Sequence, residues 1–381
     1  MARAKLDSAR RSFAHAMKVA VFGTTPYRTP QGRPADWPVA SQSFDPDIGQ
    51  QTMCEALEIF ERADALGFDW VTCAEHHYSP FAISPTPMVL AGAMSQRVKR
   101  AKIAVLGPTV PLLNPLRVAE EFAMLDNVTG GRVVAGLLRG TPYEYNTYSI
   151  NPAESRERFE EALQLILAAW TEPQPFGWQG RFYQFRTISM WPKPVQQPHP
   201  PIFMSASSFE SGQLAARNRV SIGMAATTVA MAAVSAQNYR EAADAAGWTP
   251  TPDNILFRTH GCVAETDEEA WRVAENFLEL AVRLDENTTR AIRASGYYGA
   301  DAQTQATRSN RPQSVRERVE AGYLFCGSPD TVHQQLRRAQ QEIGAGILEL
   351  GFQSNRVPHA DAIRSLELFG AEVLPRLQQG V

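Results

Sequence analysis

The 381-residue sequence is sparing with the residue types that build metal sites and disulfide frameworks: four cysteines and seven histidines. Cys54, Cys73, Cys262 and Cys326 are scattered too widely for a CxxC zinc framework or an obvious disulfide set, and read as small buried apolar residues. The histidines form no HxH or HExxH spacing, so no metal is expected. Neither sign of charge dominates: 37 basic against 40 acidic residues leave a formal charge of -3, which gives no footprint for nucleic acid. Long apolar runs are missing too. The basic start "MARAKLDSARRSFAHAMKVAVFG" lacks the roughly 7 to 15 residue apolar stretch of a secretory signal, and no later run approaches membrane-spanning length. The expectation is a cytoplasmic protein with no membrane partner. Without a GxGxxG or Walker loop, a Rossmann-bound dinucleotide or a nucleoside triphosphate is disfavoured.

What is present is a regular alternation. Short apolar runs of strand character are separated by longer stretches of helical period. Eight such runs can be counted: residues 17–23, 68–74, 102–107, 132–138, 201–206, 220–225, 255–263 and 346–352. Eight is the number that closes a TIM (β/α)8 barrel, so the expected fold is α/β with that architecture. Met53, Leu57 and Phe60 share one helical face, and Phe159, Leu163, Ile166 and Trp170 another. Three stretches exceed a normal connection: 24–46, 177–200 and about 285–322. The barrel is expected to carry long insertions at its C-terminal face, with the polar third stretch read as a mobile lid over the mouth. Residues 1–16 are expected to be an N-terminal extension and 17–381 a single barrel domain.

In such a barrel the active site lies where the strands end. That rule selects "CAEHHYSP", in which Glu75, His76 and His77 follow the second strand. Neighbouring side chains on an extended segment point to opposite faces, so the two imidazoles are not expected to share an ion. One should face the barrel mouth and the other packing, although both could be structural. After the fifth strand, "SASSFESGQLAAR" puts Ser207, Ser208 and Ser211 at a helix start, where free N–H groups and hydroxyls suit a phosphate. A plain serine N-cap is the alternative. Convergence of Arg139 and Arg156 on that corner would favour the phosphate.

Several motifs in register carry a resemblance: "GFDWVTCAEHHYSP", "VLGPTVPLLNPLRVAEEFAMLDNVTGGRVVAGLLRG", "SRERFEEALQLILAAW" and "PPIFMSASSFESGQLAA". "GILELGF" and "SLELFGAEVLPRL" extend it to the C-terminal part. Over residues 17–377 the chain resembles the bacterial luciferase-like family of flavin-dependent monooxygenases. The resemblance implies a barrel that binds reduced FMN supplied by a separate flavin reductase. It implies activation of molecular oxygen as a flavin hydroperoxide to oxidise a small or medium organic substrate, and a homodimer. The helix 116–128, with Val118, Phe122 and Leu125 on one stripe, could serve a dimer or the core equally.

The resemblance also assigns residues. His76 matches a catalytic acid/base near the flavin ring, with Glu75 orienting an imidazole. Leu106 and Gly107 match a non-proline cis peptide held against the ring. Arg139, Arg156, Ser208 and Ser211 match phosphate positions, with Ser207 giving a backbone contact. Leu138 stands where the luciferases carry a reactive cysteine, which argues against light emission, and a leucine there would keep the flavin pocket dry. Arg28, Trp37 and Phe44 of the first insertion are candidate substrate contacts, and Tyr143 and Glu144 could reach ring or substrate. Three other readings stay open: deazaflavin-dependent hydride transfer on the same fold, a flavin binder without turnover, and, least favoured, a metal-dependent hydrolase.

Overall fold

The computed structural model describes residues 16–28, 37–206, 208–277, 290 and 314–379, and excludes the side chains of Pro142 and Tyr143. Ser207, most of the expected lid and nearly all of the N-terminal extension lie outside the described residues.

The eight apolar runs are the eight strands of a closed parallel barrel. They are β1 (Lys18–Phe22), β2 (Trp70–Cys73), β3 (Lys102–Thr109), β4 (Val133–Leu138), β7 (Ile202–Ser205), β8 (Ser221–Met224), β9 (Ile255–Val263) and β11 (Ile347–Gly351). Each pairs in parallel with the next in that order, β8 pairs with β9, and β11 returns to β1. Both faces of every strand are buried, which is why the runs are almost continuously apolar. Alternate side chains divide between two cores. Ala20, Trp70, Ala104, Leu106, Val134, Phe203, Leu256 and Ile347 fill the barrel interior. Their neighbours in sequence, such as Val19, Val21, Val105 and Leu348, pack outward against the helices.

The helices begin where the sequence supplies caps. Asp45 accepts from the N–H groups of Asp47 and Ile48 and opens α1 (Pro46–Leu66), which Gly67 closes at φ 92°. Between β2 and β3 lies α2 (Pro87–Arg97). Asn114 opens α3 (Pro115–Thr129) in the same way. After β4 come a short helix α4 (Pro142–Tyr148) and then α5 (Ser155–Thr171), whose Phe159, Leu163, Ile166 and Trp170 are all buried. Ser208 opens α6 (Phe209–Arg217), and α7 (Val229–Ala245) follows β8.

Three expectations change. Residues 177–200 are not all loop: β5 (Phe176–Gln179) and β6 (Gln184–Ile188) form an antiparallel hairpin there, its turn held by Glu161, which accepts from the N–H groups of Arg181, Phe182 and Tyr183. Just after the third long stretch, "YLFCG" contains β10 (Leu324–Gly327), which pairs with the last four residues of β9, sharing only His260 with the part of that strand that pairs with β11. Finally, Val118, Phe122 and Leu125 are buried in the core, so that stripe of α3 is not a free surface. Met124 and Val128 are the exposed apolar residues of that helix. No described helix is long and apolar enough to cross a membrane.

Candidate active site

The strand ends gather the residues singled out above at one mouth of the barrel. In "EHH" the two imidazoles part company as an extended backbone requires. His77 is buried, with its Nε2 3.1 Å from Glu75 Oε1 and its ring edge-on to Tyr148 at 5.2 Å. Glu75 is buried as well, and its other oxygen accepts the Thr109 N–H at 3.1 Å, tying the end of β2 to the end of β3. Glu75 therefore orients His77 rather than His76.

His76 faces the other way and keeps about a fifth of its side chain exposed. Its Nδ1 stands 3.3 Å from Glu144 Oε1, and its ring meets Phe81 edge-to-face at 5.1 Å. Glu144 is 1% exposed. Its Oε2 accepts from the backbone N–H of Thr141 at 2.6 Å, the capping box that opens α4, while Oε1 has no hydrogen-bond partner of good geometry. A buried carboxylate oxygen with nothing better than an imidazole beside it is costly unless that imidazole is its purpose. Because Nδ1 faces Glu144, Nε2 is the ring nitrogen that Glu144 does not engage.

Leu106 lines the barrel interior and Gly107 follows it, but the bond between them is trans; the cis bonds of the described residues precede Pro38, Pro192 and Pro198. The expected cis peptide is replaced by a bulge. Leu106 pairs with Gly136 and Thr109 with Leu138, so β3 carries one extra residue there. Gly107 is required by approach rather than by φ, since a Cβ would sit 2.7 Å from the backbone nitrogen of Glu75.

On the far side of β4, Arg139 donates from Nη1 to Ser155 Oγ at 3.1 Å, at the first residue of α5. The next residue, Arg156, lies 3.7 Å from Glu210 in the first turn of α6. Ser208 and Ser211 cap that helix reciprocally, Ser211 N–H donating to Ser208 Oγ at 3.3 Å and Ser208 N–H to Ser211 Oγ at 3.1 Å. Both arginines and both serines thus meet where two helix N-termini adjoin. The serine cap lies at the corner where the sequence leads us to expect a phosphate.

The proposed substrate contacts fare unevenly. Arg28 binds Glu55 and the Val357 carbonyl, which fastens the first insertion to the barrel. Trp37 is buried, with Nε1 donating to the His77 carbonyl at 3.2 Å. Phe44 stacks on Tyr27 at 5.4 Å, half exposed. Trp37 alone braces the "EHH" segment directly; Arg28 and Phe44 fasten the first insertion to its surroundings. Tyr145, beside Glu144, is buried and donates its hydroxyl to the Arg139 carbonyl.

Opposite this wall lie residues the strand-end rule passed over. In the closed order β9 and β11 stand across the barrel from β3 and β4. Arg258 and Glu349 pair across them and Arg258 lies 3.8 Å over the Phe22 ring. A signal existed: a charge in the middle of "ILFRTHGCV" and another in "GILELGF" break runs otherwise buried on both faces. Among the described residues, no group of three or more His, Cys, Asp or Glu could hold a metal ion.

A closed barrel of eight parallel strands, with two acid–imidazole pairs just past the C-terminal end of β2, defines the class: a TIM-barrel protein. The profile of the luciferase-like monooxygenase family matches residues 32–345. The chain belongs to that family. It is 27% identical over 335 residues to limonene 1,2-monooxygenase of Rhodococcus erythropolis, covering 84% of this chain and 80% of the relative. It is 26% identical over 241 residues to the oxygenase component of the flavin-dependent trigonelline monooxygenase of Acinetobacter baylyi, covering 62% and 66%. With an uncharacterised Sinorhizobium fredii protein it shares 31% identity over 169 residues, and there it spans about half of the relative, 49%, and 44% of this chain. Among solved structures, the oxygenating constituent of 3,6-diketocamphane monooxygenase from Pseudomonas putida, in complex with FMN, superposes with a TM-score of 0.74 at 21% identity, covering 95% and 99%. An F420-dependent secondary alcohol dehydrogenase has the same fold, with a TM-score of 0.69 at 16% identity, covering 95% and 99%.

Proposed function

We propose that this chain is the oxygenase component of a two-component FMN-dependent monooxygenase that uses molecular oxygen on a small or medium organic substrate. The observation that carries the reading is the His76–Glu144 pair, held at the mouth with one imidazole nitrogen left for chemistry. The residues present fit FMN. Arg139 and Arg156 supply guanidinium forks, and Ser208 and Ser211 open a helix N-terminus, which together suit a dianionic phosphate. The 3.7 Å contact between Arg156 and Glu210 is half exposed and loose enough to be exchanged for it. Leu106 and Leu138 would face the ring with apolar surface and keep water from it.

Bound FMN would supply two-electron reduction of oxygen, which no side chain can. The chain's own contribution is to hold the cofactor by its phosphate, exclude water, and move a proton at His76 Nε2, with Glu144 fixing the ring from Nδ1. Glu75 holds His77 and thereby the strand end that aims His76. A separate reductase would deliver the reduced flavin, and one barrel domain would serve both cofactor and substrate. The test is to titrate the protein with FMN and with the deazaflavin F420, then supply reduced flavin and follow oxygen. Preference for FMN with oxygen uptake supports the proposal. Preference for F420 with hydride transfer in the absence of oxygen replaces it.

A further inference from the structure

The wall facing the proposed flavin site is polar where a barrel interior has every reason to be apolar. Leu256 and Ile347 lie in the inner core, so strand alternation turns Arg258, Glu349 and Gly351 inward as well, and Gln353 lies two residues past the end of β11. Phe352, between the last two, packs in the outer core, which fits that alternation. Glu349 is wholly buried, and one of its oxygens is held by Arg258 Nε while the other has no partner. The Arg258 guanidinium stacks on Phe22 and keeps about a fifth of its side chain accessible. Among the described residues neither of its terminal nitrogens has a hydrogen-bond acceptor. Just beyond the end of β11, Gln353 is 1% exposed, and neither its amide oxygen nor its amide nitrogen has a partner. A buried amide left wholly unsatisfied costs stability on both atoms, which a leucine of similar volume would avoid.

We infer that Arg258, Glu349 and Gln353 form the substrate's polar subsite, and that its occupant is the carbonyl oxygen of a neutral organic molecule. The Arg258 terminal N–H groups are the donors, and the Gln353 amide, in the segment that follows β11, supplies a further donor. Pairing with Glu349 decides the charge class: it cancels the arginine's charge, so a carboxylate would gain little from the fork and would meet Glu349 behind it. Position decides the role. This wall stands across the barrel from β3 and β4, so a substrate anchored here lies over the proposed flavin ring. The inference rests on the proposed site for its meaning as a substrate pocket, but the binding it predicts is a property of the chain without cofactor.

The probes are cyclohexanone, 2-octanone and N-methylpyrrolidone, each against its hydrocarbon counterpart, with cyclohexanecarboxylate as the anion. Saturation-transfer NMR reads binding to the protein with and without FMN. At least one carbonyl probe is expected to bind the wild type at least 10-fold more tightly than its hydrocarbon and than the carboxylate. Arg258→Lys, which keeps the charge beside Glu349 but removes the fork, and Gln353→Leu should each erase that preference. Flavin affinity should stay within about 2-fold in both variants. Gln353→Leu should also melt about 1–3 °C higher than the wild type, because it removes an unsatisfied buried amide. Equal binding of ketone and hydrocarbon, tighter binding of the carboxylate, wild-type selectivity in both variants, or no carbonyl binding at millimolar probe would each overturn the inference. Loss of FMN binding in the wild type would instead sink the proposed function while leaving the carbonyl result readable.

Discussion

The Nδ1 atom of His76 stands 3.3 Å from the buried Oε1 of Glu144, while the other oxygen of Glu144 caps the helix that carries it. One carboxylate therefore ties the start of α4 to the imidazole at the end of β2. Glu144→Gln separates the two tasks, because glutamine can still close a capping box but offers no charge to the ring. Its melting temperature is expected within about 2 °C of the wild type. Turnover should fall roughly 10- to 100-fold, with flavin affinity unchanged, since general acid–base groups contribute on the order of 100-fold or more. His76→Ala should cost more, and the double variant no more than His76→Ala alone, the non-additivity expected of residues acting as a unit. Additive losses would mean that Glu144 does not act through His76.

The corner formed by Arg139, Arg156 and Ser208 makes a prediction that does not depend on turnover. If it holds a phosphate, the protein should prefer FMN to riboflavin, which differs only by lacking that group. Arg139→Ala should weaken FMN about 10- to 100-fold, the worth of a charge-assisted contact, and leave riboflavin nearly unaffected. Arg97→Ala, on the outer surface of α2, should change neither. Isothermal titration of both ligands against the three proteins decides it. A variant that loses both ligands in parallel would place Arg139 under the ring or in the fold instead.

Asp64, near the end of α1, accepts the backbone N–H groups of Lys99, Arg100 and Ala101 at 2.9, 3.0 and 2.7 Å, which turns the chain into β3. Burial alone would raise its carboxyl, but these donors together outweigh burial and hold it below the ordinary 3.8. A depressed folded-state value gives stability that is present above the unfolded value and lost as pH falls through the folded one. Asp64→Ala should cost about 2–4 kcal/mol at pH 7 by leaving buried donors unmatched. Asp64→Asn, which lacks the charge, should be less stable than the wild type at neutral pH and converge toward it below about pH 4. Urea midpoints from pH 2.5 to 7 test both statements. A gap between wild type and Asp64→Asn that is constant across that range would remove charge from the account.

The barrel was legible because parallel strands buried on both faces leave an unambiguous apolar signature, and all eight runs proved to be strands. The hairpin β5–β6 was not, since its residues alternate between exposed and half-buried around prolines and aromatics that read as loop. "YLFCG" was missed for the opposite reason, being a short buried run next to a long polar stretch. At the site, the divergence of His76 and His77 followed from strand geometry alone. The partner of each imidazole did not, because Glu144 is 68 residues from His76 and only the packing of α4 brings them together. The trans bond at Leu106 was beyond pattern reading, since a bulge and a cis peptide both suit a glycine at that point.

The four cysteines divide by environment in a way that a thiol reagent can read. Cys54 is exposed on α1, and Cys73, Cys262 and Cys326 are buried. Burial, helped by the charge of Glu349, pushes the Cys73 thiol up to about 12. Cys262 is also raised, first by its hydrogen bond with Cys326, its directly paired neighbour across β9 and β10, and then by burial. Only the thiolate attacks an aromatic disulfide reagent, so raised values and burial both suppress reaction. At pH 8 the native protein should release about one equivalent of chromophore quickly, and Cys54→Ser should abolish that phase. In denaturant all four thiols should react. Fast reaction of a second thiol in the native state would mean that the β9–β10 edge, or the Cys73 site on β2, opens more readily than its burial implies. It would then be assigned by labelling Cys262→Ala and Cys326→Ala separately.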